Sequence, residues 1–463
     1  MRFLEQLNAV VISPAVILTL GIVGIYFLVY LRAFVFRYPR VVMKGLFARQ
    51  AGNGVSSFCA LTVALAGTLG VGNIVGVASA ILAGGAGVLF WMWISALLSM
   101  LLKYSEVVLA MLYRQMDEDG KWHGGAFFYL RCLKCGKVLA PLFAIGILLT
   151  SFFLGNAIQA NAAAIAVKSA FGIPRTVTGA IFACFVLVIL LGGFSRVSSV
   201  TGILIPICSG GYLAASLAIL ALEWRVLPSV FQLILREAFS FSSFGAGVGG
   251  YGILRSLRYG VTRGLLSTEA GCGTAPIAHA CAGRTSAVEQ GFFGIFEVVA
   301  DLTVCTATGV VLLVAKGHLL CCPTNGMEYA IAAYRVYFGD AARWGMAVAV
   351  CVFAFATILG WSYYGSEALH YFGARRSYYG LYGVLYAFGV GIFAVCQPEQ
   401  TMVFADLTTG ILTLMNLAGV CAKSREIRVQ TGQYLKQHGM RKSRVHKTRR
   451  FSIANKIFSK SKN

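Results

Sequence analysis

Apolar residues run along this chain in long blocks, separated by short polar links. Eleven blocks are long enough to cross roughly 30 Å of hydrocarbon as helices. They cover about residues 9–31, 58–82, 86–113, 138–167, 176–193, 199–222, 232–260, 290–316, 344–370, 377–396 and 402–421. The pattern predicts an all-α integral membrane protein with about eleven transmembrane helices. Residues 1–50 form a first helix and a basic loop, 51–421 a single membrane core, and 422–463 a polar tail, disordered or lying on the membrane surface. The opening apolar run is long enough to span, and no small-residue cleavage motif follows it. It therefore reads as a membrane helix rather than a cleaved leader.

Two blocks are interrupted at their centres by glycine. The second contains Gly67, Gly70, Gly72 and Gly76, and the seventh contains Gly245, Gly247, Gly249, Gly250 and Gly252. Each glycine costs a helix about 1 kcal/mol relative to alanine. Clusters of them favour unwound backbone, which persists at membrane depth only when buried in protein or lining a wet cavity. Close helix crossings of the small-xxx-small kind are the competing explanation. If the first helix is set aside, blocks two to six and seven to eleven form two groups of five, about 51–222 and 232–421. Each group opens on an interrupted helix, and an odd number per group inverts the second relative to the first. This is the pattern of a five-plus-five inverted repeat of the LeuT type, with a central site between two discontinuous helices. Freed N–H groups at a half-helix N-terminus suit a carboxylate. Freed carbonyls at a half-helix C-terminus suit Na+ or an ammonium.

Composition excludes a soluble globular fold, since 58% of residues are hydrophobic and only 12% are charged. The net charge of +22 is unevenly spread, with a third of the Lys and Arg after Cys421. No nucleic-acid partner is expected from that tail, which reads as a cytoplasmic segment facing anionic lipid. The loops carrying Arg32, Arg37, Arg40, Lys44 and Arg49, then Arg114, Lys121, Arg131, Lys134 and Lys137, then Arg263 and Arg284, then Arg375 and Arg376 all fall on the tail's side. Lys and Arg stay inside, so the N-terminus is expected outside and the C-terminus in the cytoplasm of a multi-pass protein of the cell membrane (inner or plasma). Thirteen cysteines are scattered. Cys132 and Cys135 form a lone CxxC, too few ligands for a typical zinc site, and Cys321-Cys322 is a vicinal pair. Lys103 and Glu106 are spaced to pair on one helix face. Glu297 and Asp301 lie one turn apart, where a wet cavity, or pairing with Arg284, would suit them. Glu367 and His370 are expected near an interface. Asp406 is expected to reach outward.

Three blocks of sequence resemble the sodium:alanine (alanine or glycine:cation) symporter family. They are Gly70-Val71-Gly72-Asn73-Ile74-Val75-Gly76 with Phe90-Trp91-Met92-Trp93 and Lys103-Tyr104-Ser105-Glu106, then Arg258 to Gly271 followed by Gly273-Thr274-Ala275-Pro276, then Phe353 to Gly365. The likeness runs from about 50 to 420. It implies Na+-coupled symport of a small neutral amino acid, alanine or glycine, with Na+ as co-transported ion and no other cofactor. The implied substrate residues are Gly70, Val71, Gly72, Asn73, Gln159, Gly249, Gly250, Thr357 and Trp361. The implied sodium residues are Gly70, Asn73, Ala356 and Thr357. The chain departs from the family pattern at Val71, Ala356 and Thr268, where the family usually has Thr, Ser or Thr, and Asn. Two hydroxyls are thereby lost, which bears on sodium stoichiometry.

Three other functions compete with this reading. Proton coupling through Glu297 or Asp301 is the first. A membrane enzyme is the second, but HExxH and GxSxG are both absent from the sequence, so no enzyme is expected. A channel would be expected to repeat a filter motif, and none is visible.

Overall fold

The computed structural model describes residues 2–47, 55–239, 249–283, 285–319 and 323–439. Apart from a two-residue hairpin, Gln115–Met116 (β1) with Trp122–His123 (β2), its regular elements are helical. In chain order the principal helices are α1 (Ser13–Tyr30), α2 (Ser57–Thr68), α3 (Val75–Gly84), α4 (Val88–Tyr113), α5 (Gly136–Thr150), α6 (Ile158–Phe171), α7 (Arg175–Leu190), α8 (Gly193–Leu222) and α9 (Leu227–Ala238). There follow α10 (Gly249–Thr268), α11 (Ala275–Ala280), α12 (Ala287–Ala315), α13 (Gly326–Phe338), α14 (Ala341–Tyr371), α15 (Arg376–Phe393), α16 (Pro398–Ala422) and α17 (Ser424–Gln437). Among the described residues seven helical stretches are long and apolar enough to cross a membrane. The α2–α3 pair, bent by 61° at its break, makes an eighth. The other expected crossings fall on α7, on α10 with α11, and on α15, which are shorter or more polar.

Each group of five expected crossings opens on a broken pair, α2–α3 and then α10–α11. Counterparts pack on each other: α4 on α12, α6 on α14, and α7 on α15. Outward faces carry large apolar side chains such as Ile22, Val29, Phe185, Ile207, Leu217 and Phe388, all more than half exposed. A surface this apolar suits hydrocarbon rather than water. Charge is drawn inward instead: Lys103, Glu106, Glu297 and Asp301 are buried to 1% or less.

The structure alters four sequence expectations. The structure shows a break in the second repeat at Glu269–Thr274, between α10 and α11, whereas the sequence pointed to 245–252. Residues 240–248 lie outside the described residues, and Gly249 and Gly250 open α10. The break forms at Glu269–Thr274 because Glu269, Gly271 and Gly273 all adopt positive φ (49°, 89° and 74°) and Pro276 sits in the first turn of α11. Arg263, expected in a loop, is therefore inside α10. Lys103 does not pair with Glu106 but with Glu297, at 3.2 Å. Lastly, the tail does not leave the protein at residue 422. It continues as α17, whose Ile427, Thr431, Tyr434 and Leu435 follow helical spacing and are buried, with Thr431 Oγ1 2.7 Å from the Tyr104 hydroxyl of α4. The remaining basic tail, 440–463, and also Arg49, Arg284 and Cys321-Cys322 lie outside the described residues.

Candidate functional site

The first break follows from local sequence. Helix α2 ends at Thr68, and Gly70 is extended (φ −123°, ψ −165°). A single tight turn, Val71–Asn73, then leads into α3. The N–H groups released at the start of that turn point at side-chain oxygens. Gly70 N–H donates to Asn73 Oδ1 (3.1 Å) and Val71 N–H to Gln159 Oε1 (3.3 Å). Gln159 comes from α6, so two elements far apart in sequence meet at this turn. Two side-chain amide oxygens thus occupy the acceptor positions at this turn.

Gly70 is enclosed. A Cβ there would lie 2.9 Å from Thr357 Oγ1 and 3.2 Å from Gln159 Oε1. Gly72 is the opposite case: it is exposed, and a Cβ would meet nothing within 4 Å. Thr357 Oγ1 on α14 donates to the Leu69 carbonyl at 3.4 Å, which brings a hydroxyl and a freed carbonyl together. Ala356, its buried neighbour, offers only backbone. One turn further along, Trp361 is 1% exposed. Its indole lies over Gly155 of α6's approach, where an added Cβ would fall 2.2 Å from Trp361 Cβ. Gly70, Val71, Asn73, Gln159, Thr357 and Trp361 therefore belong to one neighbourhood.

Gly249 and Gly250 do not join it. Helix α10 runs antiparallel to α3: Ser256 Oγ donates to the Gly84 carbonyl, while Arg263 faces Gly76. At 1.5 Å rise per residue the two glycines stand roughly 10 Å beyond Ser256, past the far end of α3.

The structure also adds residues that sequence reasoning left out of the site. Asp301 of α12 accepts Asn73 Nδ2 at 2.6 Å and the Ser267 hydroxyl at 2.8 and 2.9 Å, with Cys305 Sγ beside the same amide at 3.3 Å. A single carboxylate thus ties the first break to the end of α10. At the second break Glu106 accepts N–H groups from Gly271 (3.1 Å) and Gly273 (3.2 Å) and the Asn416 amide, whose Nδ2 also donates to the Gly271 carbonyl at 2.8 Å. The unwound turn frees these N–H groups and the Gly271 carbonyl; a buried acid satisfies the donors and the Asn416 amide the carbonyl. The available signal was the pair Gly271 and Gly273 just ahead of Ala275-Pro276, a helix-start pattern. The denser glycine run at 245–252 drew attention away from it.

Two expectations outside the centre resolve differently from each other. Asp406 does not reach outward. It lines a small pocket between α1 and α16 with Asn8, Ser13 and Thr262, and Asn8 Nδ2 lies 3.5 Å from it. Glu367 and His370 stand at the end of α14 opposite the hairpin. There His123 bridges Glu367 (Nδ1, 2.9 Å) and Asp117 (Nε2, 3.0 Å) and stacks on His370 at 3.6 Å. Burial pulls the His123 imidazole down, but the two carboxylates outweigh it and hold its pKa above the usual value.

Comparison with known proteins agrees with this architecture. The chain matches the sodium:alanine symporter family over residues 1–448. It is 35% identical over 435 residues to an uncharacterized transporter of Haemophilus influenzae, covering 92% of this chain and 94% of the relative. It is 35% identical over 376 residues to the sodium/alanine symporter AgcS of Methanococcus maripaludis, covering 79% and 81%. Among solved structures it resembles a Na+-coupled sialic acid symporter in a substrate-bound outward-open state, with TM-score 0.50 and 14% identity over 92% of this chain and 86% of that one. That likeness speaks to fold alone. The chain is thus a multi-pass membrane transporter rather than an enzyme, and it belongs to the sodium:alanine symporter family.

Proposed function

We propose that this protein carries a small neutral amino acid, alanine or glycine, into the cell together with Na+ by alternating access. The observation that supports this most is the first break, where freed N–H groups, freed carbonyls and one buried carboxylate converge. The amino acid's carboxylate replaces Gln159 Oε1 and Asn73 Oδ1 on the N–H groups of Gly70 and Val71, with Gly72 leaving the approach open. Trp361 limits the side chain. Na+ is held by Asn73 and Asp301 with the Gly70 carbonyl. A second ion position lies at the Leu69 carbonyl, Thr357 and the backbone of Ala356, with backbone oxygen standing in for the hydroxyls missing at 71 and 356. Residues 51–421 act as the transporting core, with repeats at about 51–222 and 232–421. The N-terminus is outside, and the tail is cytoplasmic, where its basic residues face anionic lipid.

The alternative of proton drive through Glu297 or Asp301 has less support, because Glu297 is in contact with Lys103 and His279 and Asp301 is held by Asn73 and Ser267 at the first break. The deciding experiment is uptake of labelled alanine, glycine and serine into proteoliposomes, with and without an inward Na+ gradient. Saturable accumulation only with the Na+ gradient is expected. Accumulation driven equally well by a pH gradient in Na+-free buffer would overturn the assignment.

A further inference from the structure

Among the described residues, four acidic side chains and one lysine gather around the second break. Glu106, Glu269, Glu297 and Asp301 are all buried, none more than 4% exposed. Lys103, the lysine among them, is matched by Glu297 at 3.2 Å. His279 Nε2 meets the other Glu297 oxygen at 3.1 Å, and its Nδ1 meets the Gln290 side-chain amide at 2.8 Å. Glu106 is solvated by two backbone N–H groups and an amide, and Asp301 by an amide and a hydroxyl.

Glu269 differs from the other three. It accepts one hydroxyl, that of Thr274 at 2.7 Å. Its backbone is held at φ 49°, a conformation that side-chain-bearing residues rarely adopt and that tends to be retained at functional positions. The Trp361 indole faces the same carboxylate, and Tyr364 Oη, buried nearby, is without a hydrogen-bond partner among the described residues. Among the described residues no lysine, arginine or histidine forms an ion pair with Glu269; Lys103, which acts on it at longer range, is paired with Glu297, and a buried carboxylate in a membrane interior is costly and marks a candidate ligand position.

We propose that Glu269 receives a monovalent cationic group at the α10–α11 break, and that this group is the ammonium of the transported amino acid. The proposal rests on the symport reading and deepens it. Na+ and an ammonium share the chemistry required, a compact positive charge facing one carboxylate. The Tyr364 oxygen offers a further acceptor, and the Trp361 ring face is attractive to cations. Position favours the ammonium. Trp361 joins Glu269 to the neighbourhood of Gly70, since Thr357, one turn away on the same helix, touches the Leu69 carbonyl. An α-amino acid held at both ends by hydrogen bonds of about 2.9 Å bridges roughly 8–9 Å, which is the separation this assignment requires between the first-break N–H groups and the Glu269 carboxylate. Glu269 would then restrict the protein to substrates with a cationic end.

The test uses the purified full-length protein. Alanine binding is measured by calorimetry in Na+ buffer, and Na+ binding without alanine by the Na+-dependent shift in melting temperature. Glu269→Gln should weaken alanine by about 100-fold or more while leaving the Na+ shift in place. Glu269→Asp, which keeps the charge, should fall between it and the wild type. In the wild type, lactate, with a hydroxyl in place of the ammonium, should fail to displace alanine. That arm holds even if the Gln variant does not fold. Loss of the Na+ shift in Glu269→Gln would assign the cation as Na+ and overturn the ammonium. Wild-type alanine affinity in folded Glu269→Gln, or displacement by lactate on a par with glycine, would overturn the site altogether. A wild type that responds to Na+ but binds neither alanine nor glycine would refute the substrate reading, and the Na+ arm alone would then decide Glu269.

Discussion

Replacing Asp301 with asparagine probes the junction proposed to hold Na+. The carboxylate is 1% exposed and accepts Asn73 Nδ2 at 2.6 Å and Ser267 Oγ at 2.8 and 2.9 Å. Asp301→Asn keeps the volume and removes the charge. A unit charge about 4 Å from Na+ is worth about 4 kcal/mol at an effective dielectric constant of about 20. At about 1.4 kcal/mol per decade, Na+ affinity should fall by roughly 10²–10³-fold. The fold should suffer less. Asn73 loses part of an acceptor, a cost of about 1–3 kcal/mol, but removing a buried charge relieves desolvation in the same place. The assay is the Na+ concentration giving half-maximal alanine uptake in proteoliposomes, with the melting temperature measured alongside. A folded Asp301→Asn protein whose half-saturating Na+ stays within about threefold of wild type would mean that this carboxylate is structural.

Three further outcomes are expected. Gly70→Ala should abolish uptake because its methyl would stand 2.9 Å from Thr357 Oγ1, whereas Gly72→Ala, with nothing within 4 Å, should fold normally and raise the alanine KM; equal effects on melting temperature would count against this contrast. Trp361→Ala should admit a larger neutral amino acid such as leucine and weaken alanine, at a stability cost of about 3–5 kcal/mol typical of aromatic truncation; an unchanged substrate ranking in folded protein would make Trp361 packing alone. Because His123 is held above its ordinary value, its pairing stabilises the hairpin fully below about pH 6.5 and loses that effect as pH rises through the folded-state value. Hydrogen exchange over 115–123, corrected for intrinsic rate, should therefore lose protection in alkaline buffer in the wild type but not in His123→Gln.

The sequence made the long apolar helices and the first break legible because both are local signals. Hydrophobic length marks a span, and Gly70-Val71-Gly72-Asn73 marks a turn whose own side chain, Asn73, closes on Gly70 N–H. The second break was harder to read for a physical reason. Glycine density measures how cheaply a helix can unwind, but where it unwinds depends on who receives the freed N–H groups. At Gly271 and Gly273 the receiver is Glu106, some 165 residues earlier, while the Asn416 amide, some 145 residues later, donates to Glu106 and to the Gly271 carbonyl. Neither is visible from the segment itself. Lys103 shows the same limit: a partner three residues away on its own helix was legible, yet the lysine turns to Glu297 on α12. Helix α17 was overlooked because its polar content hid a four-residue apolar stripe that has meaning only against α4 and α12.

The arrangement of α12 suggests why two ligands should depend on each other. Glu297, Asp301 and Cys305 are spaced four apart and line one face of a single buried helix. Through Glu297 that face grips Lys103 and His279, beside the second break, and through Asp301 it grips Asn73 at the first. Asn73 is itself double-ended, with Nδ2 on Asp301 and Oδ1 on Gly70 N–H. A cation at Asp301 draws on the same amide that must release Gly70 N–H to a substrate carboxylate. Binding at one position therefore changes what the other must displace, with no need for a longer route through the protein. Thermodynamic linkage makes the effect reciprocal: if Na+ tightens alanine by some factor, alanine tightens Na+ by the same factor, typically about 1–3 kcal/mol. Calorimetric titrations of alanine at several Na+ concentrations, and of Na+ at several alanine concentrations, should return one coupling free energy. Asn73→Ala should bring it close to zero while each ligand still binds alone. Equal alanine affinity in Na+ and choline buffers for the wild type would refute this coupling at the first break.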